Sequence, residues 1–140
     1  MIVLDTNVVS ELLKPTPDPA VQKWANGIDS GRCVVSSPTS YEIVYGIQRL
    51  PQGRRRQFLI EGWASLCRDF LQGRVWPVDH EAAACAGERR ATLVANGANR
   101  DICDLLIFGI AKTRGAAIAT RNVRHFDDLP VTLINPWAQS

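Results

Sequence analysis

The chain has no apolar run of the roughly 20 residues needed to cross a bilayer, no CxxC pair and only two histidines. Each scarcity closes a class of function. The opening MIVLDTNVV begins apolar, but Asp5 interrupts it, and neither a basic lead-in nor a small-residue cleavage site follows, so a secretory leader is not expected. Cys33, Cys67, Cys85 and Cys103 are far apart and lie within apolar runs, which predicts buried free thiols, a reducing cytoplasmic setting and no zinc knuckle. His80 and His125 stand alone and are expected as surface or capping groups. A GxSxG elbow, a Walker loop and an HExxH helix are all missing, which removes the common serine-hydrolase, nucleotide-binding and zinc-protease readings.

What is present fits one soluble domain over residues 1–140, with a hydrophobic share of 46% and a charged share of 21%. The net charge is only +2, yet the basic residues are overwhelmingly arginine, whose planar fork suits phosphate. Arg54, Arg55 and Arg56 form the only basic run and are candidate contacts to the phosphates of a polyanion such as a nucleic acid, weighed against a solvated helix face.

Short apolar runs at Ile2 to Leu4, Cys33 to Val35, Val75 to Val78, Ala116 to Ala119 and Val131 to Ile134 read as buried parallel strands. Helical patterns separate them. A helix follows Asp5 and stops at PTPDP; Asp18 and Pro19 open the next; Ser37 or Thr39 caps one that carries Glu42. Leu59, Trp63, Leu66, Cys67 and Phe70 recur at helical spacing, Asp79 caps an alanine-rich helix, and Asp101 caps the helix from Ile102 to Thr113. The alternation predicts an α/β fold with a central parallel sheet of four or five strands and helices on both faces, and such sheets carry their sites beyond the carboxyl ends of the strands.

Three acids occupy telling positions. Asp5 follows the first strand, where a cap and a catalytic group are equally natural. Glu42 stands three residues after Thr39, which is also the spacing of a capping box. Asp104 lies one turn into an apolar helix, on the same side as Asp101, and a carboxylate there needs a partner. If the three converge, a divalent cation relieves their repulsion, and all-oxygen ligation suits Mg2+, with Mn2+ as a substitute. Such a cluster hydrolyses phosphodiesters without a nucleophilic side chain.

The segments MIVLDTNVVSELLKP, SPTSYEIVYGIQRL, DLLIFGIAKTRG, AIATRNVRHF and the terminal INPW together resemble the PIN-domain toxins of the VapC type, in particular the FitB-like branch, over essentially the whole chain. The resemblance implies a three-layer α/β/α fold and a magnesium-dependent endoribonuclease. It also implies a homodimer held in check by a small DNA-binding antitoxin whose C-terminal segment fills the active-site groove. Position by position, the metal-binding acids fall on Asp5, Glu42 and Asp104, and the supporting polar groups on Thr6, Asn7 and Thr120. Where many relatives carry a fourth acid this chain has Asn122 and His125; Asn122 still offers a carbonyl oxygen but no charge, which weakens a second metal position. Asp127 and Asp128 are the nearby candidates to stand in. That gap motivates the alternative of a catalytically impaired PIN-like module that binds RNA or protein. A phosphatase with Asp5 as nucleophile is disfavoured, because the acid wanted two residues on is Asn7.

Overall fold

Ile2, Val3 and Leu4 have no polar neighbour until Asp5, and a strand so composed must be covered on both faces. In the structure, a computed structural model that describes residues 1–139, these residues form β1 (Ile2–Leu4), the middle strand of a five-stranded, wholly parallel sheet. The other strands are β2 (Cys33–Ser36), β3 (Val75–Trp76), β4 (Ala117–Ala119) and β5 (Leu133–Ile134). Their order across the sheet is β3-β2-β1-β4-β5, so the chain winds one way from β1 and then returns to β1's other side. The point of reversal lies between β1 and β4. In open α/β sheets that is where a crevice forms.

Alternate residues along each strand face opposite layers. Val3, Val34 and Ile118 meet α5 (His80–Ala95) and α6 (Ile102–Thr113) through Ala86, Leu105, Phe108 and Ala111. Ile2, Leu4, Cys33, Val35 and Ala119 meet the other layer through Val8, Val9, Ile43 and Ile47. That layer holds α1 (Thr6–Leu12), α3 (Ser37–Gln48) and α4 (Arg54–Ser65), with α2 (Pro19–Gly27) beside α1. The three-layer α/β/α arrangement is thus the expected one. α4 runs on into a π-helical turn, Leu66–Phe70, and Leu59, Trp63, Leu66, Cys67 and Phe70 all pack against the core as their spacing predicts.

Several local expectations need correction. The cap of α3 is Ser36, whose Oγ accepts the Thr39 N–H at 3.3 Å; it is neither Ser37 nor Thr39. The later strands are shorter than their apolar runs, because β3 and β5 are edges with one neighbour each and only two residues pair. Of the cysteines Cys33 alone is fully buried, and all four are free thiols. Trp137 folds back onto the domain, with the Arg121 guanidinium 5.2 Å above its ring.

Candidate active site

Asp5 is extended (φ −68°, ψ 159°) and ends β1 while starting α1, so its cap and site roles coincide. Its backbone N–H donates to Ala119 O at 2.9 Å, tying it to the end of β4. One carboxylate oxygen, Oδ1, accepts the Thr6 N–H at 2.8 Å, and Oδ2 accepts from Thr120 Oγ1 at 2.7 Å and from Asn7 Nδ2 at 3.1 Å. Thr120 Oγ1 in turn accepts the Asn122 N–H at 3.0 Å, and Asn7 Oδ1 accepts the Arg121 N–H at 3.1 Å. The DTN and ATRN segments, more than a hundred residues apart, are therefore laced into one rigid rim at the reversal point of the sheet. Asp5 is only 4% exposed; burial raises its pKa, against the opposing pull of these hydrogen bonds.

Glu42, in the second turn of α3, does not close a capping box. Its Oε1 accepts from Thr6 Oγ1 at 2.7 Å, and Thr6 Oγ1 also lies 3.2 Å from the buried Thr39 hydroxyl. Thr6 thus couples the start of α1 to α3 and turns Glu42 toward the crevice. Asp104, in the first turn of α6, follows the cap Asp101, whose Oδ1 accepts the Cys103 N–H at 2.9 Å. Its Oδ2 lies 3.0 Å from His125 Nδ1. Burial first, then the charge of Asp5, pushes the Asp104 carboxyl up to about 6, with His125 opposing.

Asp5, Glu42, Asp101, Asp104, Asn122 and His125 line one open cleft, with Lys14, Arg121 and Trp137 on its rim. All three predicted acids are thereby brought to one place, with Thr6 and Asn7 among the lining and Thr120 buried behind Asp5. Among the described residues, the three ligand atoms found within 4.8 Å of one another belong to Glu42, Asp101 and Cys103; Asp5 and Asp104 stand outside that tight set. The Cys103 thiol is pushed up to about 11 by burial and by Glu42, Asp101 and Asp104, so at neutral pH it keeps its proton.

His125 and Asp101 are the members that sequence reasoning missed. His125 is not a bystander: its ring touches Asp104. Its position in the RNVRHF segment, where an acid was expected, was the available signal. Asp101, expected as a cap on the Asp104 side of the helix, also faces the cleft. The proposed stand-ins do not serve: Asp128 is engaged by Arg100, and neither Asp127 nor Asp128 lines the cleft. Glu11, though buried at the same rim, is spoken for by Lys14 Nζ at 3.0 Å and the Asp18 N–H at 3.0 Å. Of the basic run, Arg54 and Arg55 line a neighbouring groove, and the Arg56 guanidinium donates to Gln48.

A divalent cation fits these groups. Among the described residues no lysine or arginine forms an ion pair with Asp5, Glu42 or Asp104, so the carboxylates, of which Asp5 and Asp104 have raised proton affinity, lack a permanent countercharge. Their donor atoms are mostly hard oxygens.

Residues 2–131 match the family model described as PIN domain. The chain is 34% identical over 137 residues to the VapC ribonuclease Y4jK of Sinorhizobium fredii, covering 98% of both chains. It is 31% identical to Toxin FitB of Neisseria gonorrhoeae over 98% of this chain and 99% of that one. In three dimensions it superposes on a chain of FitAB bound to an IR36 DNA fragment with a TM-score of 0.89 and 30% identity, covering 100% of this chain and 98% of the other. With the parallel five-stranded order and the carboxylate cleft at its reversal point, these likenesses carry one conclusion: the chain belongs to the PIN-domain family.

Proposed function

We propose that this protein is the toxin of a toxin–antitoxin pair, a single-domain, cytoplasmic, metal-dependent endoribonuclease that holds Mg2+ through Asp5, Glu42 and Asp104. The observation that carries the reading is the delivery of these carboxylates from three separate places, the β1–α1 junction, α3 and α6, into one cleft without a permanent countercharge. The names of the similar proteins, a ribonuclease and a toxin, support the chemistry and the biology respectively. Among the described residues, no helix is long and apolar enough to cross a membrane.

When bound, the ion supplies Lewis acidity to the scissile phosphate and raises the acidity of the attacking water. The chain's own residues prepare the site. Thr120, Asn7 and the Thr6 N–H fix both oxygens of Asp5, so its remaining lone pairs point to the cleft without reorganisation. Thr6 holds Glu42 by the same logic. Lys14 and Arg121 at the rim offer positive charge to RNA phosphates, and Asn122 offers a carbonyl oxygen to the cation or its water.

Beside the cleft, and sharing Thr6, Ser10, Lys14 and Glu42 with it, runs an apolar groove of ≈ 670 Å³. Its floor includes Leu13, Ile43, Ile47 and Leu59, and Arg49, Arg54 and Arg55 stand at its edge. This is the seat we assign to the antitoxin: an amphipathic segment with acidic residues fits an apolar channel edged by guanidinium groups and ends at the carboxylates. Arg54 and Arg55 accordingly serve the partner more directly than the RNA.

Purified protein should cut RNA in the presence of Mg2+ and stop when the metal is chelated. Asp104→Asn should lower cleavage about a hundredfold or more with an unchanged circular dichroism spectrum. Cleavage that persists in excess chelator would overturn the mechanism.

A further inference from the structure

We propose that His125 is a metal ligand, a nitrogen donor beside Asp104 that shifts the cation preference of this cleft from magnesium toward manganese. The inference rests on the reading of the cleft as a divalent-cation site.

His125 closes a short 3-10 turn, Val123–His125, that follows β4. The turn is pinned on both sides. The His125 N–H donates to Asn122 O at 2.9 Å, and the next residue, Phe126, is fully buried in the core beneath α6. The imidazole is thereby carried to the mouth of the cleft, its side chain half exposed, with Nδ1 3.0 Å from Asp104 Oδ2. Two donors bonded at about 2.1 Å to one ion, at right angles, stand about 3.0 Å apart. The oxygen and nitrogen are therefore already at the spacing of adjacent ligands on a single cation. Asp5, Glu42 and Asn122 face the same cleft and contribute oxygens only.

An imidazole in an otherwise oxygen-rich set changes what the site selects. Magnesium dehydrates reluctantly and favours oxygen, whereas nitrogen ligation gains affinity along the first transition row. Manganese, at the hard end of that row, accepts both the carboxylates and the ring.

A contact of 3.0 Å also fits a simple ion pair, with a protonated His125 acting as countercharge in the absence of metal. The two roles predict opposite signs. Removing a competing positive charge strengthens the binding of every dication, whereas removing a ligand weakens manganese selectively.

The test uses the full-length chain at one mildly alkaline pH, comparing wild type, His125→Gln and His125→Asp by calorimetric titration with Mn2+ and Mg2+. Electron spin-echo modulation of the Mn2+-loaded protein supplies the independent readout. We expect nitrogen modulation in the wild type that disappears in His125→Gln, and the other histidine, His80, does not line the cleft. Mn2+ affinity should fall about tenfold or more in His125→Gln while Mg2+ affinity changes by less than about threefold. In His125→Asp, an added oxygen donor should move the preference back toward Mg2+. Absence of nitrogen modulation in the wild type, or tighter binding of both cations by His125→Gln, overturns the inference while leaving the nuclease reading intact. If the wild type binds neither cation, both fall together.

Discussion

At the scale of single residues, one side chain can hold the fold together and face the cleft at once. Asp5 caps α1, joins β1 to β4 through its N–H and presents what remains of its carboxylate to the cleft. Thr120 is the hinge of that arrangement, donating to Asp5 while accepting from Asn7 and Asn122. Replacing it by valine leaves a buried carboxylate oxygen and a backbone N–H short of partners, which costs about 1 to 3 kcal/mol. Chemical denaturation should register that loss for Thr120→Val, and Thr120→Ser should restore most of it along with cleavage.

The raised pKa values of Asp5 and Asp104 have a definite sign. A folded-state pKa above the unfolded value means that the folded chain holds the proton more tightly, so the stability contributed by these groups is fully present below 3.8. It is lost as the pH rises, for Asp104 through about 6. A dication compensates the charge that appears. Mg2+ or Mn2+ should accordingly raise the melting temperature more at about pH 7.5 than at about pH 5. Equal metal-induced shifts at both values would mean that the cation binds elsewhere.

At the scale of elements, α5 and α6 approach so closely that a Cβ at Gly109 would lie 2.3 Å from the carbonyl oxygen of Ala82. Alanine in a helix interior normally gains about 1 kcal/mol over glycine, yet here a backbone must move, and overpacking of this kind costs about 1 to 3 kcal/mol. Gly109→Ala should therefore lower the melting temperature, and since α6 carries Asp104, cation affinity should weaken with it. The Ser36 cap is a milder case: Ser36→Ala should cost about 1 kcal/mol by denaturant titration.

These elements also show how far the sequence was readable. The inner strands β1, β2 and β4 and the caps Asp5, Asp18, Asp79 and Asp101 declared themselves locally, because a strand's apolar face and a cap's hydrogen bond depend on near neighbours, whereas the edge strands β3 and β5, expected as buried, are only partly covered. Ser36 did not, since its apolar strand and its cap overlap in one residue. Glu42 was ambiguous for the same reason: the capping-box spacing from Thr39 is local, whereas its real partner, Thr6, lies 36 residues earlier. His125 escaped because a lone histidine acquires meaning only from what the fold sets opposite it, and Asp104 is 21 residues away in sequence.

At the scale of the whole molecule, large apolar side chains stand exposed along α3 and at the start of α6. Tyr41 and Tyr45 stack along α3 with ring centroids 6.3 Å apart, Val44 lies between them in sequence, and Ile102 is 59% exposed at the start of α6. A homodimer, as the resemblance implies, would cover such a patch. Tyr41→Lys combined with Tyr45→Lys should shift the mass measured by light scattering to that of a monomer without altering the circular dichroism spectrum.

The sheet order has a consequence for the moment of synthesis. Because β4 completes the pocket from the far side of β1, Thr120 must leave the ribosome before Asp5 has its shortest hydrogen bond. A chain that ends before β4 carries Thr6 and Asn7 for the Asp5 carboxylate but lacks the Thr120 hydroxyl and the Ala119 carbonyl that Asp5 also uses. The acids of the cleft, at positions 5, 42 and 104, are thus all translated before the strand that fixes the first of them.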